Sequence, residues 1–154
     1  MTTVQDIYRF IDQVAPFVIQ ESWDNAGMLV GHWKRPVQKI LVTLDITPEV
    51  VYEAEKVGAD LIVAHHPILF HPAKQVTDGG MDLVGQRVLA LAERGIAAIC
   101  CHTNWDSAQG GVNYVLAKLC GLEKQQILEV SGTDEQGVPY GIGRMGTLPL
   151  PVAL

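Results

Sequence analysis

The chain has 154 residues, 48% of them apolar, and carries a net charge of −6 with an isoelectric point near 5.2. This length and apolar content predict one globular domain with a substantial core and exclude a disordered chain. The eleven Lys and Arg residues are scattered along the sequence. They form no basic stripe, which argues against a nucleic-acid partner.

Neither a membrane span nor a secretory leader is expected from the sequence. No apolar run approaches the ~20 residues that cross a bilayer. The first ten residues, MTTVQDIYRF, lack the basic and then apolar layout of a signal peptide. The three cysteines include the adjacent pair Cys100 and Cys101, are odd in number and have no C-x-x-C spacing. We therefore expect reduced thiols and a cytoplasmic protein.

Capping signals and apolar periodicity predict four helices in chain order. The first begins with the weak capping box of Thr3 and Asp6. The second has Thr47 as its N-cap and Pro48 as its first helical residue. Glycines follow the last three. The four helices are expected at about residues 4–15, 48–57, 83–94 and 111–120.

Three short runs of apolar, often β-branched residues lie between the helices and are typical of strands covered on both faces. They are Lys39–Leu44, Leu61–Ala64 and Ile96–Cys101. Strands that alternate with helices are typical of a layered α/β fold, in which a mostly parallel sheet carries helices on both faces. We predict this fold class for residues 1–130.

The composition changes near Ser131, where Gly and Pro become frequent. Only one short strand is predicted beyond this point, near Gly143–Leu148. The last residues, 147–154, are apolar and have no predicted element to cover them. We therefore expect residues 131–154 to be a separate, truncated segment.

Polar residues follow each predicted strand at its carboxyl end. Asp45 follows the first strand, His65 and His66 follow the second, and His102 and Asp106 follow the third. In open α/β sheets the crevice outside the carboxyl ends of the strands is the usual ligand site. Three histidines and two aspartates are therefore expected to converge at one edge.

The adjacent His65 and His66 are the sharpest signal for a metal centre. Neighbours in a strand point to opposite faces, but at a strand end, where Pro67 forces a turn, both rings can face one space. Two ions ~3.5–4 Å apart could each take one imidazole with Asp106 alongside. The alternatives are that one histidine is a polar loop residue and that Asp106 caps a helix.

The remaining candidates have ordinary structural explanations. Asp45 is interpreted as orienting the turn before the second helix, and not as a ligand. Cys101 is interpreted as a buried inert thiol, because a sequence neighbour such as His102 rarely has the geometry of a catalytic dyad. The segment Trp23–Asn25 fits either a pocket wall or a turn. Two loop histidines are not expected to bind metal: His32 and His71.

Four ordered motifs carry a family resemblance: Ser22–Gly31 (SWDNAGMLVG), Leu44–Thr47 (LDIT), Ala64–Phe70 (AHHPILF) and His102–Asp106 (HTNWD). Together they resemble the YbgI-like dinuclear metal family, whose members are named GTP cyclohydrolase I type II homologs and, in eukaryotes, NGG-interacting-factor-like proteins. The segment Gly143–Pro149 (GRMGTLP) fits this family too. The resemblance thus covers essentially the whole chain.

The resemblance implies two related α/β halves with a dinuclear metal site between them, often assembled as a ring-shaped homohexamer. It implies that His65, His66 and Asp106 are the metal ligands of the first half. Family members complete the site with a His-x-x-x-Glu segment near the C-terminus, which this sequence lacks. We therefore expect a metal-binding domain at residues 1–130 and the start of a truncated second half at 131–154.

The leading functional hypothesis is a metal-dependent hydrolase of unknown substrate. Two divalent ions, zinc, manganese or iron, would polarise the substrate and acidify a bound water. The family name suggests opening of a purine nucleotide ring, but no phosphate-cradling Gly-rich loop is present. The alternatives are a metallophosphoesterase and a non-catalytic metal-binding or protein-interaction module, to which the eukaryotic family name points.

Overall fold

The computed structural model describes residues 1–80, 83–134 and 136–150. The helices are α1 (Val4–Val14), α2 (Pro48–Val57), α3 (Leu83–Arg94), α4 (Thr103–Ser107) and α5 (Val112–Leu119), with one 3₁₀ turn at Phe17–Ile19. The strands are β1 (Gly27–Val30), β2 (Ile40–Thr43), β3 (Leu61–Ala64), β4 (Ala97–Cys100), β5 (Glu123–Thr133) and β6 (Pro139–Thr147). No helix in these ranges is long and apolar enough to cross a membrane.

The first four strands form one sheet in the order β1-β4-β3-β2. Strands β2, β3 and β4 run parallel, and β1 is added antiparallel to β4. The sequence therefore predicted the mostly parallel sheet correctly. Parallel strands need crossover connections, and α2 and α3 occupy the two crossovers within this sheet.

Helices cover both faces of the sheet, as predicted, because successive side chains of β3 and β4 point to opposite sides. On one face, residues of the central strands pack with α2 and α3: Val51, Ala54, Ile62, Leu91 and Ala98. On the other face, their sequence neighbours pack with α1 and the 3₁₀ turn: Val4, Ile11, Phe17, Leu61, Ala97 and Ile99. The two clusters form the core.

The helix boundaries follow from the capping residues in the sequence. The Thr3 hydroxyl oxygen accepts a hydrogen bond from the Asp6 amide at 3.4 Å, and the Asp6 carboxylate accepts one from the Thr3 amide at 2.9 Å. At α2, Thr47 accepts from the Val50 amide at 3.3 Å. Gly58 ends this helix in the left-handed conformation, with φ +68°. The predicted capping box at Thr3 and the predicted N-cap at Thr47 are confirmed.

Two features of the sheet differ from the sequence predictions. The run Lys39–Leu44 was predicted to be covered on both faces, but β2 lies at the sheet edge and the side chain of Val42 is 78% exposed. This prediction was wrong because apolar content does not distinguish an edge strand from a central one. Strand β1 was not predicted, because its three apolar residues lie between Gly27 and Gly31, and glycines are typical of turns.

The C-terminal region also differs from its prediction. One short strand was predicted near Gly143–Leu148, whereas β5 and β6 pair antiparallel as a separate two-stranded sheet. The glycines of β6 serve close strand approach, since a Cβ at Gly141 would overlap the carbonyl oxygen of Glu129. Strand β5 continues through residue 131, and the division at residue 130 stays a prediction. Of the apolar end, residues 151–154 lie outside the described residues.

Candidate metal centre

The parallel strands bring the polar residues to one edge of the sheet. Thr43, Ala64 and Cys100 are the last residues of β2, β3 and β4, and they stand in register across the three strands. The segments that follow therefore begin at the same level. This register explains how residues from three distant parts of the chain meet, as the strand-end rule predicts.

Three histidines form a cluster at this edge. One ligand atom from each of His65, His66 and His102 lies within 4.8 Å of the others, so the cluster could hold a metal ion. Their ring centroids are 5.1 to 5.7 Å apart. His65 and His102 are half-buried, and His66 is exposed. The sequence favoured Asp106 over His102 as a metal ligand. His102 nevertheless follows the end of β4 closely, as His65 follows the end of β3.

Hydrogen bonds fix the tautomers of the first two histidines. The Nδ1 atom of His65 lies 2.9 Å from the carbonyl oxygen of Cys101. The Nδ1 atom of His66 lies 2.8 Å from Oδ1 of Asp45. Carbonyl and carboxylate oxygens only accept, so both Nδ1 atoms donate and each Nε2 keeps a lone pair for a metal. Asp45 thus orients the His66 ring, a role that the sequence did not show.

Asp24 holds the third histidine in the same way. Its side chain has no exposed surface. It accepts hydrogen bonds from His102 Nδ1 at 2.8 Å, the Thr103 amide at 3.0 Å and the Thr103 hydroxyl. Burial raises the pKa of Asp24, but the bonds from Thr103 and His102 outweigh it and hold that pKa below its ordinary value. Asp24 is therefore an ionised partner of His102.

Asp24 is also the clearest residue that sequence reasoning missed. The segment Trp23–Asn25 was left open between a pocket wall and a turn. The contact between Asp24 and His102 spans 78 residues, and no local pattern points to it. The WDN motif was the available signal, because it combines a carboxylate with an amide just before a strand.

Asp106 lies on α4, close to the cluster. Its Oδ1 is 3.9 Å from Nε2 of His65. An ion with bonds of about 2.0–2.2 Å can be shared by donors up to about 4.2 Å apart, so this pair can hold one ion. Asp106 does not cap α5, whose N-cap is Gly111. The short helix α4 was not predicted. It is held by the buried Asn104, whose side-chain amide donates to the carbonyl oxygen of Ala15 at 2.8 Å, and a contact between such distant residues leaves no local pattern.

Three further candidates from the sequence are Cys101, His32 and His71. Cys101 is buried, as predicted. Burial raises the pKa of its thiol to about 12, which disfavours the reactive thiolate. Among the described residues, the histidine cluster does not include His32 or His71. The His71 ring instead packs against Phe70 with centroids 4.8 Å apart.

The comparisons with known proteins agree with this architecture. A family model described as Duf34/NIF3 (NGG1p interacting factor 3) matches residues 2–154. The chain belongs to the DUF34/NIF3 family. A Clostridium perfringens protein named GTP cyclohydrolase 1 type 2 homolog is 38% identical over 142 residues, which are 92% of this chain and 52% of that protein. The chain thus spans about half the length of this relative.

Solved structures of the DUF34/NIF3 type share the fold. A Staphylococcus aureus hypothetical protein matches with a TM-score of 0.78 and 35% identity, over 85% of this chain and 43% of that one. A Bacillus cereus protein related to NIF3 matches with a TM-score of 0.79 and 33% identity, over 84% of this chain and 35% of that one. Reduced HcgD from Methanocaldococcus jannaschii matches with a TM-score of 0.75 and 31% identity, over 83% of this chain and 50% of that one.

Proposed function

We propose that this chain supplies one side of a dinuclear metal centre of a metal-dependent hydrolase. The observation that carries the proposal is the triplet of histidines whose Nδ1 atoms are each held by an oxygen acceptor, with ligand atoms within 4.8 Å of one another. Metal-binding histidines in proteins are oriented through the second ring nitrogen in this way. The ligands are His65, His66, His102 and Asp106.

The donor set fits zinc, manganese or iron. Three neutral imidazoles and one carboxylate suit borderline divalent ions. Two ions with three or four protein ligands each need about six to eight contacts, and a bridging carboxylate saves one. The four residues supply about four or five contacts. The remaining ligands would come from residues beyond this chain, since its relatives are about twice as long, or from a second copy.

Each side chain has a defined task in the proposed reaction. A bound divalent ion would supply Lewis-acid polarisation of a substrate oxygen and a more acidic water. Asp45 and Asp24 hold the rings of His66 and His102, so that little reorganisation is needed on binding. The carboxylate of Asp106 offsets part of the charge of the ions. The substrate class is a nucleotide, a phosphoester or a cyclic amide.

Metal content tests the proposal directly. In the protein extended to the length of the relatives, we expect His65→Ala and His66→Ala to remove most bound zinc or manganese, measured by elemental analysis after dialysis. Far-UV circular dichroism should stay unchanged, because both residues lie at a strand end. The matched control is His71→Ala, which removes an exposed histidine outside the cluster. Unchanged metal content in both cluster variants would overturn the proposal.

Turnover separates the enzyme from a binding module. A protein extended to the length of the relatives and loaded with metal should hydrolyse one of the three substrate classes, while the 154-residue chain should bind metal weakly and show no turnover. Phosphate release without ring opening would identify a metallophosphoesterase. Tight metal binding without any hydrolysis would instead identify a non-catalytic metal-binding or protein-interaction module.

Assembly and location belong to the same proposal. We expect the extended protein to form a homohexamer, as the family resemblance implies, and to lie in the cytoplasm. Light scattering after size-exclusion chromatography gives the molar mass, and fractionation of cells that make the tagged protein gives the compartment. A monomeric extended protein with two tightly bound ions would show that the centre needs no second copy.

A further inference from the structure

Two exposed aromatic rings border the metal centre. Trp23, Phe70 and His102 have ring centroids 6.1, 6.3 and 6.4 Å apart, and their planes are inclined by 61° to 88°. The three rings form a nearly equilateral triangle, which we call the aromatic corner. Trp23 is 58% exposed and Phe70 is 40% exposed. The corner thus joins two solvent-facing rings to one proposed metal ligand.

The packing of the aromatic corner leaves both aromatic side chains partly exposed. An edge-to-face contact uses the edge of one ring and one face of the other, and Phe70 also packs edge-to-face with His71, yet Trp23 stays 58% and Phe70 40% exposed. Single exposed apolar side chains are ordinary, but two exposed aromatic rings in contact beside a candidate site are typical of a ligand surface. A planar ring of a ligand can cover the exposed surface of these two side chains by stacking on them.

The backbone beside each ring is anchored at a neighbouring position in the chain. Trp23 precedes Asp24, whose buried carboxylate holds His102. Phe70 follows Leu69, whose carbonyl oxygen accepts a hydrogen bond from the Asn25 side chain. The loop before β1 and the loop after β3 are therefore tied to each other and to the histidine cluster. A surface fixed in this way loses little conformational entropy when a ligand binds.

We propose that Trp23 and Phe70 bind the planar aromatic or heteroaromatic ring of the molecule on which the metal centre acts, an inference that rests on the proposed function. Stacking on an aromatic face tolerates many ring types, because every such ring has a π-face. The contact of both rings with His102 brings polar substituents of the stacked ring within reach of the cluster. Trp23 and Phe70 thereby select planar ring compounds over saturated ones.

Binding of adenosine to the 154-residue chain tests the aromatic corner. Ligand-observed NMR titration gives the dissociation constant without relying on tryptophan fluorescence. We expect Trp23→Leu and Phe70→Leu each to weaken binding about tenfold, and Trp23→Phe to restore most of it. The matched control is Trp33→Leu, since Trp33 is 45% exposed and packs against Tyr8 on α1. This variant should bind adenosine like the unmodified chain.

A second pair of probes isolates planarity from hydrogen bonding. Uracil and dihydrouracil carry the same polar groups, but only uracil is flat and conjugated. We expect uracil to bind more tightly, and Trp23→Leu to remove the difference. Equal binding of both probes, equal adenosine binding by all variants, or no adenosine binding by the unmodified chain would each overturn the aromatic corner as a ring site.

The same titrations with zinc and with a chelator separate this inference from the metal proposal. Stacking requires ring faces and not an ion, so the contrast between Trp23→Leu and Trp33→Leu should persist in the chelated chain. Zinc binding without that contrast would overturn the aromatic corner alone. The contrast without any zinc binding would support the corner and overturn the metal centre.

Discussion

Removal of the buried carboxylate of Asp24 should destabilise the protein strongly. In Asp24→Ala, the His102 ring and the amide and hydroxyl of Thr103 lose their common acceptor. An unsatisfied buried donor costs about 1–3 kcal/mol, and such costs within one network are not additive. We therefore expect the free energy of unfolding to fall by about 3–5 kcal/mol, because three donors lose one ionised acceptor and their costs add only in part.

Urea-induced unfolding followed by circular dichroism measures this change. The matched control is Asp45→Ala, which removes a carboxylate that also holds a histidine but is 51% exposed. Exposed pairs contribute little, so this variant should lose less than about 1 kcal/mol. Both variants should weaken zinc binding about 10- to 100-fold, because each frees the ring of a proposed ligand. We thus expect Asp24→Ala to lower both stability and zinc affinity, and Asp45→Ala to lower chiefly zinc affinity.

The outcome is decided by comparison of the two variants. An unfolding free energy of Asp24→Ala within about 0.5 kcal/mol of the unmodified chain would show that the carboxylate does not satisfy these donors. Equal destabilisation by both variants would show that burial of Asp24 does not set the magnitude. Asp24→Asn, which keeps one acceptor oxygen, should give an intermediate loss.

Three further predictions concern the rest of the fold. A thiol reagent at pH 8 should modify the exposed Cys120 rapidly and both buried thiols only on unfolding, since burial raises the pKa of Cys101 to about 12. A hydrogen bond from the Gln38 amide holds the pKa of Asp60 below its ordinary value. Because the folded pKa is the lower one, Asp60→Asn should cost about 1 kcal/mol at pH 7, and in acid unfolding the difference should shrink as the pH falls below the ordinary pKa of 3.8. Gly31→Ala should cost at least about 2 kcal/mol by urea unfolding, because its φ is +111° and a Cβ would lie 2.8 Å from β4 backbone.

The sequence by itself determined the elements whose signals are local. The caps at Thr3 and Thr47 and the stop at Gly58 gave the bounds of α1 and α2, because each satisfies backbone groups within one helical turn. The run Leu61–Ala64 matched β3 residue for residue. The prediction of parallel strands was enough to place the polar residues at one edge of the sheet. The polar residues meet there because the last residues of the three strands are in register.

Only the tertiary structure decided which strands lie at an edge, which segments pair antiparallel and which partner each histidine has. Val42 of β2 is exposed because nothing flanks β2 on its outer side in the described sheet. Asp24 reaches His102 across 78 residues of sequence. Such contacts depend on how whole elements pack, and a hydrogen bond between distant residues leaves no period in the chain. The role of Asp24 in holding the His102 ring could therefore be found only from the folded structure.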